Sequence, residues 1–488
     1  LFLSLLAFLP TAQAQDTTET LKMGWLYEDI ANWDPHQRVN TSSTMYYDFV
    51  YDTLIWLSPA GELQPRLATR WELTDTALNL TLREGVTFHD GTAFNAEAAK
   101  ANLDRARLEG SGLVRTAFDA VESVDVLGEF TVQINLSRRD DLLLENLTRY
   151  AGMMASPAAF DTLDAAPVGA GAWTLNTEDT IPSSVFVYDK FPDHWRADSI
   201  DIERAEIRVT RGPTGPDAMM AGDIDLLVTS AGLTRLISGD EFSFDVQGAT
   251  WYLVVLWDRN GELLPELADE RVRCALNHAI NRDTYNQAIE AGLMAVMETI
   301  PPRGWYGYTA QAPTYDYDPQ RAQALLAAAG AEGFTLPLPT ASGFTQRNQA
   351  LAGFLSQVGI NAAVEAIPDG TMFSVAYSGE VPAMMINLNP THFTEFVADF
   401  FAEDGTGNTF SVVDEDIAAL VAQADGLPLD EAEPIWQEIS VLISERCYFV
   451  PVTAGSLALV TNENVQNVQP VLNQAARPDL HALTLADE

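Results

Sequence analysis

Apolar and polar positions alternate along the chain with both helical and strand periods. Residues 21–25 (LKMGW) read as a strand, and the Asp-Pro step at Asp34-Pro35 reads as a turn. Met45, Phe49, Tyr51, Leu54 and Ile55 recur at helical spacing and predict one helix over 42–56. Residues 71–73, 78–82 and 131–136 alternate with period two and predict strands, as do 185–188 and 207–209. Between them, Asn95 is placed to cap a helix running through Leu103 and Ala106, with Glu97 in its first turn. A short helix with a Gly-Asp turn and a strand start is expected over 218–227. Residues 251–257 form a dense apolar run, and 269–289 predict a single long amphipathic helix. Asp318-Pro319 opens a helix that Gly330 stops. Further helices are expected over 345–358, 414–424 and 431–443, with strands at 334–338, 361–366, 449–453 and 457–460. Helices and strands interleave throughout, so the class is α/β or mixed α+β. The 488 residues exceed what one core supports and imply two or three domains.

The start of the chain differs from the rest. Residues 1–9 (LFLSLLAFL) are almost wholly apolar, Pro10 breaks the run, and TAQAQ at 11–15 offers an A-x-A site. That is the pattern of a secretory signal peptide cut short at its beginning, with cleavage expected after Ala14. Nine apolar residues cannot span a bilayer, and no later stretch reaches the ~18 that a spanning helix needs. A soluble, exported mature protein is expected. Export permits a disulfide between the two cysteines, Cys274 and Cys447. Two buried free thiols fit the sequence at least as well, since separation along the chain carries no distance.

Charge narrows the partners. There are 69 acidic and 27 basic residues, a net charge of −42, and only Lys22, Lys100 and Lys190 among the lysines. Such a surface repels nucleic acid and anionic lipid, and it maintains solubility. The six histidines, His36, His89, His194, His278, His392 and His481, are scattered. No H-E-x-x-H, C-x-x-C, phosphate-binding loop or G-x-S-x-G is present. Neither a metal or other cofactor nor an enzymatic activity is expected.

Six blocks, in order, carry a resemblance to one family. They are WDP at 33–35 with VYDTL at 50–54, PRLA at 65–68 before Trp71, VTFHDGTAFNAEA at 86–98, PVGAG at 167–171, VRCALNHAINR at 272–282 and YDPQRAQALL at 317–326. Together they resemble the family 5 bacterial extracellular solute-binding proteins, the dipeptide, oligopeptide and nickel-binding group. The resemblance implies a two-lobed periplasmic binding protein fold with an extra subdomain in the first lobe. Carried onto this chain, it implies a signal peptide remnant at 1–14 and a first-lobe core at 15–40, 167–250 and 452–488. The extra subdomain would be 41–166 and the second lobe 251–451. It further implies a monomeric periplasmic receptor of an ABC importer, which closes on a small solute by hinge motion and delivers it to the permease subunits.

The family's contact regions map onto Arg38, Tyr47, Arg115, Trp251, Trp257, Asn387, Asn389 and His392 as candidate ligand residues. Arginine suits a ligand carboxylate, the aromatics supply flat walls, and asparagine both donates and accepts. Each has a plain alternative: Trp251 and Trp257 as core, Tyr47 as helix packing, the arginines as solvated counter-charges, His392 as a packing residue. One departure bears on the ligand. Peptide-binding members carry a W-x-x-D-x-x-D-P-like segment whose Asp pairs with the peptide ammonium, whereas this chain has NLNPTHFTEF at 387–396. A peptide is the first expectation; a nickel or iron chelate, an opine or a saccharide are alternatives, and a secreted hydrolase using the same cleft is the weaker one.

Overall fold

The computed structural model describes residues 20–26, 32–37, 44–247, 250–368, 371–390, 392–455, 457–469 and 478–486. The apolar leader at 1–14 and Arg38 lie outside these residues.

Three larger sheets organise the chain. The first has seven strands, ordered Ser243–Gln247, Leu457–Thr461, Leu226–Ser230, Thr20–Trp25, Arg204–Val209, Val185–Lys190 and Trp173–Leu175. Strand Thr20–Trp25 sits in its middle, parallel to both neighbours, with Met23 opposite Ile207 and Leu226. Its side chains are buried from Met23 through Trp25, as a central strand covered on both faces requires. Helix Thr44–Val50 covers one face with Tyr46, Phe49 and Val50, all fully buried beside Trp173 and Tyr188.

The second sheet is antiparallel and orders Ala68–Leu73, Ala77–Leu82, Thr131–Leu136 and Val121–Gly128, so that Thr131–Leu136 lies between the two strands that precede it in sequence. Strand Thr131–Leu136 buries every second residue, the alternation its sequence predicts. Helix Ala96–Glu109 packs on this sheet through Ala96, Ala99, Leu103 and Ala106, a stripe of mostly small residues at helical spacing. Asn95 caps it by accepting from the Ala98 N–H at 3.0 Å.

The third sheet is also antiparallel and orders Ala295–Val296, Phe449–Ala454, Trp251–Leu256 and Ala383–Leu388. Its two faces hold separate cores. One packs Leu276, Leu326, Leu351 and their helices; the other packs Phe393, Phe396, Ile417 and Trp436. The chain therefore leaves the first sheet after Gln247, builds the third, and returns through Phe449–Ala454 to Leu457–Thr461. Outgoing and returning segments run side by side, tied by the Gly455 N–H donating to Thr250 O at 2.9 Å. Two adjacent crossovers of this kind are a hinge geometry.

Several elements differ from the sequence reading. The helix expected over 42–56 is only Thr44–Val50, followed by strand Ile55–Leu57. Past Val50 the backbone is claimed by tertiary partners: the Leu54 N–H donates to Gly152 O at 2.8 Å and the Ala68 N–H to Leu54 O at 2.7 Å. The single helix expected over 269–289 is two, Glu270–Ala279 and Arg282–Ile289. Asn281 starts the second by accepting from the Thr284 N–H at 2.9 Å, and Arg282 turns inward to Pro451 O, Tyr315 O and Asn277. The helix expected from 218 begins earlier, at Thr214–Met220. The thiol alternative is resolved: Cys274 and Cys447 form a disulfide, with Cα atoms 5.2 Å apart. Folding brings the middle of helix Glu270–Ala279 against the turn before Phe449–Ala454, a proximity no spacing of 173 residues encodes.

Candidate ligand site

The end of strand Trp251–Leu256 nearest the crossovers is where candidate residues gather. Trp251 pairs with Leu388 and Ala454 in the sheet, and just beyond them Thr250 donates its hydroxyl to Asn389 Oδ1. Trp251 is fully buried, packed edge-on to Trp305 with ring centroids 4.9 Å apart and against Phe396 at 5.2 Å. Its indole N–H has no hydrogen-bond partner among the described residues. His392 is the N-cap of helix Phe393–Phe401. Its Nδ1 accepts from the Thr394 N–H at 3.3 Å and meets the Thr394 hydroxyl at 2.8 Å, while its ring lies 4.6 Å from Tyr306. Burial pushes the imidazole down to about 4, and the charge of the Arg149 guanidinium pushes the same way. Trp251, Asn389 and His392 thus come together.

The other candidates do not join them. Asn387 pairs with Tyr252 and shares its face of the sheet, opposite to that of Trp251. Trp257 lies six residues further along the strand direction, about 20 Å away at ~3.3 Å per residue, fully buried and edge-on to Tyr377. Tyr47 is fully buried in the first core, its hydroxyl donating to Asn32 O at 2.6 Å and its ring set between Trp33 and Tyr51. Arg115 is exposed on the short helix Leu113–Thr116.

Sequence reasoning passed over other residues. The Trp305-Tyr306 pair lies in a Pro- and Gly-rich loop, and two adjacent aromatics in such a loop are a readable signal. Arg149 carries none. Arg105 grips Asp34 through two hydrogen bonds, at 2.8 and 2.5 Å, and fixes the Asp-Pro turn against helix Ala96–Glu109. Burial would raise the Asp34 carboxyl, but Arg105 outweighs it and holds the group below its usual value. A second buried anion, Asp52, accepts from Arg66 at 2.8 Å, His194 at 3.0 Å and Trp195 at 2.7 Å. Burial opposes its charge; Arg66 and His194 overcome this and hold it well below the carboxylate range. Both anions are satisfied within the protein and serve as struts.

The sequence profile of the bacterial extracellular solute-binding proteins, family 5, matches residues 62–407 through its middle region. The chain belongs to this family. Among relatives of this family 5 protein, the glutathione-binding protein GsiB of Salmonella typhi is 24% identical over 497 residues, covering 95% of this chain and 93% of that protein. Two solved structures share the fold. The periplasmic binding protein DppA from Helicobacter pylori, in complex with the peptide STSA, has a TM-score of 0.78 at 20% identity over 96% of this chain and 99% of that one. NikA from Brucella suis, in complex with Fe(III)-EDTA, has a TM-score of 0.82 at 21% identity over 95% and 100%. The fold is the two-lobed one. Among the described residues no helix is long and apolar enough to cross a membrane, and no cluster of three or more His, Cys, Asp or Glu could hold a metal ion.

Proposed function

We propose that this family 5 protein is the receptor of an ABC-type importer: it captures a small solute between its lobes and presents it to the membrane permease. The observation that carries the proposal is the 24% identity to a glutathione-binding protein over 95% of the chain. A peptide or peptide-like solute is the first choice on that ground. A metal chelate is the second, favoured by the likeness in fold to a binder of Fe(III)-EDTA; an opine or saccharide belongs to the same panel. Trp251, Asn389 and His392 are assigned to the solute, because they meet where the chain crosses between lobes. Such a receptor works as a monomer, without catalysis, in the periplasm after cleavage behind Ala14. Its first-lobe core is assigned to 15–40, 167–250 and 452–488, its extra subdomain to 41–166 and its second lobe to 251–451, a division the sheet membership supports.

The test is a thermal-shift screen of the purified protein against glutathione, short peptides, nickel and iron chelates, opines and sugars. One class raises Tm by several degrees through mass action, and mass spectrometry recovers the solute unchanged. Turnover of the solute, or no shift with any class, overturns the proposal.

A further inference from the structure

A buried imidazole ties the C-terminal segment to the body of the molecule. Residues 478–486 belong to a short arm that follows strand Leu457–Thr461 and lies outside the seven-stranded sheet. In this arm Val465–Gln466 pairs with Thr484–Leu485, and the Asp479 N–H donates to Gln469 O at 2.8 Å. Leu480 and Leu483 are buried in the first core. His481, between them, sits edge-on to Trp173 with ring centroids 5.5 Å apart and to His194 at 5.7 Å. Its Nε2 meets Arg66 Nη2 at 2.7 Å. A guanidinium can only donate, so Nε2 accepts and the neutral ring carries its proton on Nδ1. That Nδ1–H is buried and has no acceptor among the described residues.

The closed arrangement has no room for a second proton. Placed on Nε2, it would set one N–H against another from Arg66. The carboxylate nearest the ring is Asp52, whose Oδ1 lies 3.9 Å from Nε2. That oxygen already accepts from Arg66 Nε at 2.8 Å, and Oδ2 accepts from His194 at 3.0 Å and Trp195 at 2.7 Å. His194 offers no acceptor either, since its Nδ1 receives the Arg196 N–H at 3.2 Å. On the arm itself, Asp479 accepts from the His481 backbone N–H at 3.1 Å. Burial foremost, then the Arg66 charge, holds the imidazole well below its ordinary value against the pull of Asp52; His194 and Arg196 add to the push. We infer that His481 is an acid-operated latch: neutral, it closes residues 478–486 onto Arg66 and Trp173, and on taking up a proton at Nε2 it leaves, so that this segment opens while the seven-stranded sheet stays folded. In the open segment the imidazole titrates at about 6.5, above its value when closed, so the open state binds the proton first. Closure is fully favoured above about 6.5 and weakens as pH falls, the open-to-closed ratio rising about tenfold per unit. The latch is independent of the solute and of the receptor proposal.

The experiment is hydrogen–deuterium exchange of the full chain read by mass spectrometry between pH 7.5 and 5, with labelling times corrected for the intrinsic pH dependence of exchange. Peptides covering 478–486 are expected to lose protection about tenfold per pH unit below about 6.5, while strands Thr131–Leu136 and Leu457–Thr461 keep theirs. His481→Gln offers Arg66 an acceptor and cannot titrate, so its segment should keep the same protection across the range. His89→Gln removes another buried imidazole and should leave the acid response of the segment unchanged. A flat profile for 478–486 in the parent protein overturns the latch, whatever the variants do. Loss of protection in step with Thr131–Leu136 overturns it too, because the acid effect is then global unfolding. An undiminished acid response in His481→Gln, or its disappearance in His89→Gln, assigns the proton to another group and likewise overturns it.

Discussion

His89 shows what the family's most recognisable block does. Its backbone N–H donates to Gly169 O at 2.9 Å, and its ring binds Gly171 O at 2.9 Å while accepting from the Gly169 N–H at 3.4 Å. The VTFHDGT block is therefore docked on the PVGAG block. Both glycines are needed for the fit: a Cβ on Gly171 would lie 2.4 Å from the Val50 carbonyl carbon, and one on Gly169 would lie 1.9 Å from Val50 O. Gly171→Ala is expected to cost about 1–3 kcal/mol through this overpacking, seen as a lower urea midpoint at unchanged slope. Burial also pushes the His89 imidazole down to about 4. Its folded value lies below its unfolded one, so the unfolded chain takes up the proton first. The stability it contributes is present above about 6.5 and is lost as pH falls toward 4. His89→Gln keeps a donor for Gly171 O and cannot titrate, so its curve of Tm against pH between 6.5 and 4 should be flatter than the parent's. Parallel curves would mean that His89 is exposed to protonation in the folded state.

At the scale of elements, the disulfide and the interrupted helix belong together. Helix Glu270–Ala279 is bound to the returning strand by the Cys274–Cys447 bridge, and by Asn277 Nδ2 donating to Phe449 O at 2.9 Å. Arg273 adds a hydrogen bond to Arg446 O at 3.0 Å. The bridge closes a long loop, with its cysteines 173 residues apart in sequence. Loss of the bridge, by reduction or by the double substitution C274A/C447A, should lower stability by about 2–5 kcal/mol. Calorimetry should show the loss as a lower Tm, with solute affinity nearly unchanged because the bridge lies away from His392 and Trp251. The helix break at Asn281 follows from the same packing. Arg282, fully withdrawn from water, makes four hydrogen bonds to carbonyl and amide oxygens that a continuous helix would carry away from it. Local periodicity favours one helix; the buried guanidinium decides for two.

At the scale of the molecule, the regions of the second and third sheets touch beyond the crossovers. Arg138, just past strand Thr131–Leu136, donates to Asp425, at the end of helix Glu415–Ala424, at 3.3 Å, with both side chains largely exposed. An exposed pair of this kind contributes about 0.2–1 kcal/mol and is screened by salt. Closure must therefore be driven by solute contacts, the pair adding a small bias. Arg138→Ala is expected to weaken solute binding by no more than about fivefold at low salt, with the difference vanishing near 1 M salt. A larger loss that survives high salt would show that Arg138 touches the solute.

Much of the architecture was legible in the sequence because it depends on local periodicity and on ordered blocks. Strand Thr131–Leu136, helix Ala96–Glu109 with its Asn95 cap, and helix Pro319–Ala329 with Gly330 in a left-handed C-cap all follow from side chains a few residues apart. Family membership followed likewise, since its blocks are packing devices such as His89 on Gly169 and Gly171. What escaped depends on partners distant in sequence. Tyr47 and Trp257, chosen for their chemistry, are held in separate cores, and Asn387 faces away from Trp251 because one residue of strand register reverses a side chain. The Trp305-Tyr306 pair reaches His392 only after a loop some 86 residues away in sequence has folded against it. Sequence alone determined the elements, the family and the strongly acidic surface. The tertiary structure decided the disulfide, the helix break and the composition of the site, because each is set by contacts between segments that no local pattern relates.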